Sequence, residues 1–164
     1  MSSQPRFLSS VLVPTFLILS QSAFAEGYAV DLTASKTIGS ELSRYSKMYP
    51  EYSESISKNV HWTYDRVKET NGFLNSKYLS NKKKFEAAIH TYNLFVDANK
   101  DFDKLVTDAS VRSGISSRIA RLKSAIEATY GYNGKQPILK NVTDVYGAME
   151  KEMLEIVTAY DKLK

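Results

Sequence analysis

Any chemistry in this chain would have to start from its two histidines, because the sequence contains no Cys. That removes thiolate nucleophiles, disulfides, thiolate metal sites and covalently attached haem together. His61 has Asp65 one helical turn ahead of it, and Glu86 precedes His90 by the same interval. Each pair puts two ligand types on one helix face, which is half of a metal site. Both histidines fall off the apolar stripes, so each is expected on a solvated flank, His61 beside Trp62, and no metal is expected. Met149 and Met153 point inward on the last helix and could hold haem with a histidine partner. With neither imidazole on an inner stripe, the methionines read as core filling and no cofactor is expected. Glu150, Glu152 and Glu155 read as the polar side of the same helix. The chain has no Gly-rich phosphate loop, nucleophile elbow or histidine-glutamate zinc motif. No catalytic residue is assigned, and the protein is expected not to be an enzyme.

Two features rise above that background. From Ala109 to Ile126 there is no acidic residue, and Arg112, Arg118, Arg121 and Lys123 accompany the apolar Ile115, Ile119, Leu122 and Ile126. A helix with bases on one side and aliphatics on the other suits an acidic partner or an anionic membrane. All eleven tyrosines follow residue 25, and Tyr130 and Tyr132 flank a loop, where an amphipathic ring suits recognition. The candidate contact surface is therefore Arg112, Arg118, Arg121, Lys123, Tyr130 and Tyr132. A protein partner is expected there, with an anionic membrane surface as the second choice. Lys82-Lys83-Lys84 is another basic run and is expected simply to be solvated.

The segments that must position these residues begin after an address. Residues 1–25 carry one base, Arg6, then an apolar run from Phe7 to Leu19, then Ala23-Phe24-Ala25. Small residues at the first and third places of that tripeptide suit a signal peptidase, so cleavage before Glu26 is expected. The run is short of the roughly 20 residues a membrane span needs, and it contains Pro14. The chain is expected to be exported, to the periplasm or beyond the cell. Residues 26–164 then form one domain. Loss of Arg6 leaves 21 basic against 18 acidic side chains, a balance too mild to imply nucleic acid. Asn141-Val142-Thr143 is an acceptor sequence for asparagine-linked sugar in a eukaryotic source.

The hydrophobic pattern is helical throughout. Phe85, Ala88, Ile89, Tyr92, Phe95, Val96 and Phe102 recur at helical spacing and predict a long central helix over about 80–112. Before it, Glu26 to Thr37 has no firm pattern. Ile38, Leu42, Tyr45 and Tyr49 make a first stripe ending at Pro50. Tyr52, Ile56, Val60, Tyr64 and Val67 make a second, with a stop expected at Asn71-Gly72. The third helix starts near Phe73 or after Ser80; three lysines in a first turn would oppose the helix dipole, which favours Phe73. Ser113-Gly114 is expected to interrupt it and open a short fourth helix. Tyr130-Gly131-Tyr132-Asn133-Gly134 reads as a loop, and Pro137 opens a last helix whose stripe runs from Ile138 to Leu163. The fold class is all-α, a compact antiparallel bundle of four to five helices. The leading expectation is an exported, non-enzymatic binding module acting on a macromolecule. Its alternative is a carrier of a small apolar ligand or haem in the core, using the Phe, Met and Tyr lining.

Overall fold

The computed structural model describes residues 30–106, 109–130 and 139–163. The side chains of residues 105, 109–114 and 128–130 fall outside what it describes, as do the expected signal segment 1–25 and the residues of the loop after Tyr130. Among the described residues are five α-helices: α1 (Leu32–Met48), α2 (Ser53–Leu74), α3 (Asn81–Leu105), α4 (Ala109–Tyr130) and α5 (Leu139–Lys162), with a 3-10 turn at Pro50–Tyr52. No strand occurs among them. The protein is an all-α bundle, as the periodicity requires.

Its hub is α5, which touches all four other helices. Val142, Val145, Tyr146, Met149, Met153 and Ile156 have no solvent exposure at all. Burying each such side chain contributes roughly 1.5–3 kcal/mol relative to leaving it in water. The long α3 lies against α2, with Thr70 Oγ1 2.7 Å from Thr91 Oγ1 and the Trp62 and Phe95 rings edge to face at 5.6 Å. Residue 61 of α2 meets residue 161 of α5, and residue 71 meets residue 150, so these two helices run antiparallel.

Helix ends follow caps more closely than apolar stripes. Asp31 accepts from the Ala34 N–H at 2.9 Å, so α1 begins well before Ile38, in the stretch expected to lack a pattern. Its inner line is made of small residues, Ser35, Gly39, Ser43 and Ser46, which carry almost no hydrophobic signal. Pro50 forms the expected joint. The expected stop at Asn71-Gly72 is overrun, because Leu74 is buried and the Asn75 N–H closes the last turn on the Asn71 carbonyl. The earlier start for α3 near Phe73 is also corrected. Ser80 accepts from the Lys83 N–H, and a cap of about 1 kcal/mol outweighs exposed lysines worth a few tenths each at that dipole.

The expected helix over about 80–112 ends at Leu105. Val106 is extended and fully buried, and its N–H returns to the Phe102 carbonyl, so the chain turns where an apolar side chain enters the core. Ser113-Gly114 lies inside α4, which is a full-length helix and not a short one. A helical glycine costs only about 1 kcal/mol, and the burial of Val106 and Ile115 on either side of that region dominates it.

Tyr146 shows how a polar atom is accommodated at the hub. Its hydroxyl donates to the Ala88 carbonyl at 2.9 Å. Burial pushes its ionisation well above the ordinary tyrosine range, and a hydrogen bond with Thr91 offsets this only in part. A proton bound more tightly in the folded state makes stability fall as pH rises past the unfolded value of about 10. Tyr146→Phe is expected to cost about 1 kcal/mol at neutral pH, and to flatten the loss of denaturation free energy between pH values of about 9 and 11. Urea titrations of both proteins across that range provide the check.

Candidate functional site

The basic stretch of α4 does not present a uniform cationic face. Ile115, Ile119, Leu122 and Ile126 are buried as the pattern requires, but Arg118 is buried with them, at 3 % exposure. It lies three residues after Ile115 and four before Leu122, on the inner stripe itself. Its counter-ion is Glu152 of α5, 1 % exposed, which the sequence placed on the polar side of its helix. Glu152 sits three residues after Met149 and four before Ile156, so it too occupies an inner position. Two opposite charges on inner stripes were the available signal of a buried ion pair.

The cluster joins three helices. Glu152 Oε1 is 3.4 Å from Arg118 Nε and accepts from Arg121 Nη2 at 3.0 Å. Arg118 Nη2 donates to Ser35 Oγ at 2.8 Å, and Ser35 donates to the Asp31 carbonyl. The Asp31 N–H reaches Glu152 Oε2 at 3.4 Å. The first turn of α1 is thereby tied to α4 and α5 through one carboxylate. Arg121 is one-third exposed, and exposed Lys123 stands 3.6 Å from Glu127. The Arg112, Tyr130 and Tyr132 side chains lie outside the described residues. Of the six expected contact residues, therefore, Arg118 and Arg121 are brought together as a structural clamp and Lys123 is at the surface. Charge reversal at Arg118 would disturb the fold before it could test a docking face.

His61 is on a half-exposed flank beside Trp62, as expected, but its partner is Asp161 and not Asp65. Nε2 lies 3.0 and 3.1 Å from the two Asp161 oxygens, while Nδ1 is 2.7 Å from the Ser57 carbonyl and 3.2 Å from Ser57 Oγ. Serine, histidine and aspartate thus follow one another in space, which invites a nucleophile reading. The geometry opposes it. To bond a carbonyl oxygen Nδ1 must carry a proton, so it is a donor where a general base would need a lone pair. The imidazole acts as a clasp between α2 and α5. His90 is exposed on α3 and His61 is partly exposed on α2, whereas Met149 and Met153 are fully buried on α5. Among the described residues no three His, Asp or Glu side chains gather as metal ligands.

Among the described residues, the most exposed large hydrophobic side chain, Tyr78, lies at the turn between α2 and α3. Phe73, in the last turn of α2, is 44 % exposed, and Tyr78, beyond it, is 94 % exposed. The turn is well tied: Ser76 N–H donates to the Phe73 carbonyl, and Tyr78 N–H donates to Ser76 Oγ, both at 3.1 Å. Lys77, Lys82 and Lys83 are exposed around it, with Lys84 half-buried. None of these four is ion-paired to any described residue, and the sequence carries no acid between Glu69 and Glu86. Sequence reasoning missed this tip because Leu74 and Tyr78, four residues apart, would extend the α3 stripe backwards and so look like core; Leu74 is buried on α2, while Tyr78 is exposed. The non-helical turn between Leu74 and Asn81 places Tyr78 outside both helices. No helix among the described residues is long and apolar enough to cross a membrane. No protein-family model matches this chain, and no curated protein and no solved structure matches it either.

Proposed function

We propose that this protein is an exported, non-enzymatic helical module that works by binding a macromolecule outside the cytoplasm. The observation that carries the reading is the α2–α3 tip, where two aromatic rings are exposed at an ordered turn among lysines that no described residue pairs with. Exposed aromatic side chains grouped on one small surface favour recognition over solvation. Export is supported by Arg6, the apolar run that follows it and Ala23-Phe24-Ala25. The contact surface proposed here is the tip, in place of the clamped arginines of α4.

A photoreactive phenylalanine analogue at position 78, in the chain expressed by its own cells, tests both parts. Irradiation is expected to give a discrete adduct, to protein or to lipid, from position 78 and none from position 54, an exposed site on the first turn of α2. Chain recovered outside the cytoplasm should begin at Glu26. Adducts of equal yield from both positions, or none from position 78, would reject the tip as a binding surface.

A further inference from the structure

From the chemistry of this tip we infer that its partner is an anionic lipid surface, onto which the α2–α3 turn docks end-on; the inference rests on the binding-module reading above. The charge argues first. Lys77, Lys82, Lys83 and Lys84 fall within one turn and one helix start, with no described counter-ion. Glu150, a carboxylate that reaches this end of α2, is engaged by Asn71 Nδ2 at 2.8 Å. The tip is therefore a local positive pole on a chain whose overall charge is only mildly basic.

Residue choice separates a bilayer from an acidic protein. All four cations are Lys and none is Arg. Lysine is depleted from protein interfaces, where planar, weakly hydrated arginine is preferred, because its compact ammonium holds water tightly. At a membrane that hydration is no obstacle, since the charge acts on anionic headgroups without leaving water. The rings fit the same setting. Phe73 and Tyr78 stand at the turn that joins α2 and α3, 44 % and 94 % exposed. A tyrosine with its ring among acyl-chain ends and its hydroxyl among headgroups is satisfied on both sides. Lys82 and Lys83, at the start of α3, stand where their charges would meet phosphates as the rings enter.

The test is sedimentation of the chain, purified from the cells that make it, with vesicles of phosphatidylcholine alone or with phosphatidylglycerol. Binding is expected only when phosphatidylglycerol is present, and is expected to disappear near 1 M salt, where the screening length falls to about 3 Å. Lys82→Ala/Lys83→Ala should weaken it about 25-fold, at about fivefold per lysine. Tyr78→Ser should weaken it about tenfold by removing an inserted ring. Because Tyr78 is almost wholly exposed, its melting temperature should not move, and Lys82→Ala/Lys83→Ala should likewise retain wild-type helicity. Binding that is equal in wild type and variants would overturn the proposal, as would equal binding to both vesicle types. Capture by polyglutamate that survives Tyr78→Ser would assign the tip to an acidic polypeptide instead. Concentration-dependent dimerisation lost in Tyr78→Ser would assign it to a second copy of the chain. Absence of vesicle binding together with a protein adduct at position 78 would overturn the lipid assignment and leave the binding-module reading standing. No adduct at all would remove both.

Discussion

Glu152→Ala is expected to destabilise the protein by about 3–5 kcal/mol, because it leaves the Arg118 guanidinium buried without its carboxylate. The size follows from the asymmetry of buried pairs: assembling one gains little net free energy, while removing a single partner strands a charge in a medium that solvates it poorly. Arg118 cannot relax into water, since its side chain is enclosed by α1, α4 and α5. Arg121 can, being one-third exposed, so Arg121→Ala should cost no more than about 1 kcal/mol. Glu152→Ala also removes the acceptor for the Asp31 N–H, so the first turn of α1 should fray. The double variant Arg118→Met/Glu152→Met is expected to recover most of the loss, since apolar side chains of similar size often replace buried ion pairs at little cost. Urea denaturation of the three variants decides this. A loss below about 1 kcal/mol for Glu152→Ala would mean that water reaches Arg118.

That cluster marks where the sequence could be read and where it could not. The stripes of α2, α3 and α5 were legible because burial selects apolar side chains at helical spacing, and Ile56, Val60, Phe95 and Met149 lie where that spacing puts them. The start of α1 was not, because its inner line is Ser35, Gly39, Ser43 and Ser46, chosen for size and not for hydrophobicity. The boundary between α3 and α4 was misplaced for a related reason. Glycine at 114 is a stronger local signal than valine at 106, yet the extended backbone at Val106 is fixed by tertiary burial, which no window along the chain contains. The candidate site suffered from treating charge as an outward signal. Arg118 and Glu152 satisfy the inner-stripe spacing as well as any leucine, and only their complementary signs on separate helices explain how both can be inside. The tip was hidden in the opposite sense, since Leu74 and Tyr78 at helical spacing resemble core, yet α2 stops at Leu74 and α3 starts only after Ser80, which leaves Tyr78 in the exposed turn between them.

The small-residue line of α1 leads to an expected reversal of sign. Alanine in place of a helical glycine normally stabilises, by roughly 0.5–1 kcal/mol, through the reduced freedom of the unfolded chain. At Gly72, in the last turns of α2, no described residue beyond its own stretch of helix comes within 4 Å of the added Cβ, so Gly72→Ala should follow the rule. At Gly39 the same carbon would collide with the Ile156 carbonyl oxygen and come within 2.8 Å of Ala159 Cβ. The obstacle is the backbone of α5, which cannot rotate aside as a flexible side chain could. Relief requires α1 and α5 to separate, opening the packing around Leu42, Met153 and Ile156, which are fully buried. Gly39→Ala should therefore cost about 2–3 kcal/mol, and Gly39→Val more, as expected for overpacking against a surface with little freedom to yield. One methyl group added at each of two helical glycines then gives opposite shifts in denaturation midpoint. The same direction at both sites would mean that α1 does not approach α5 closely enough to need a glycine, and would also undermine the Asp31 and Ser35 contacts that draw α1 onto the Glu152 cluster.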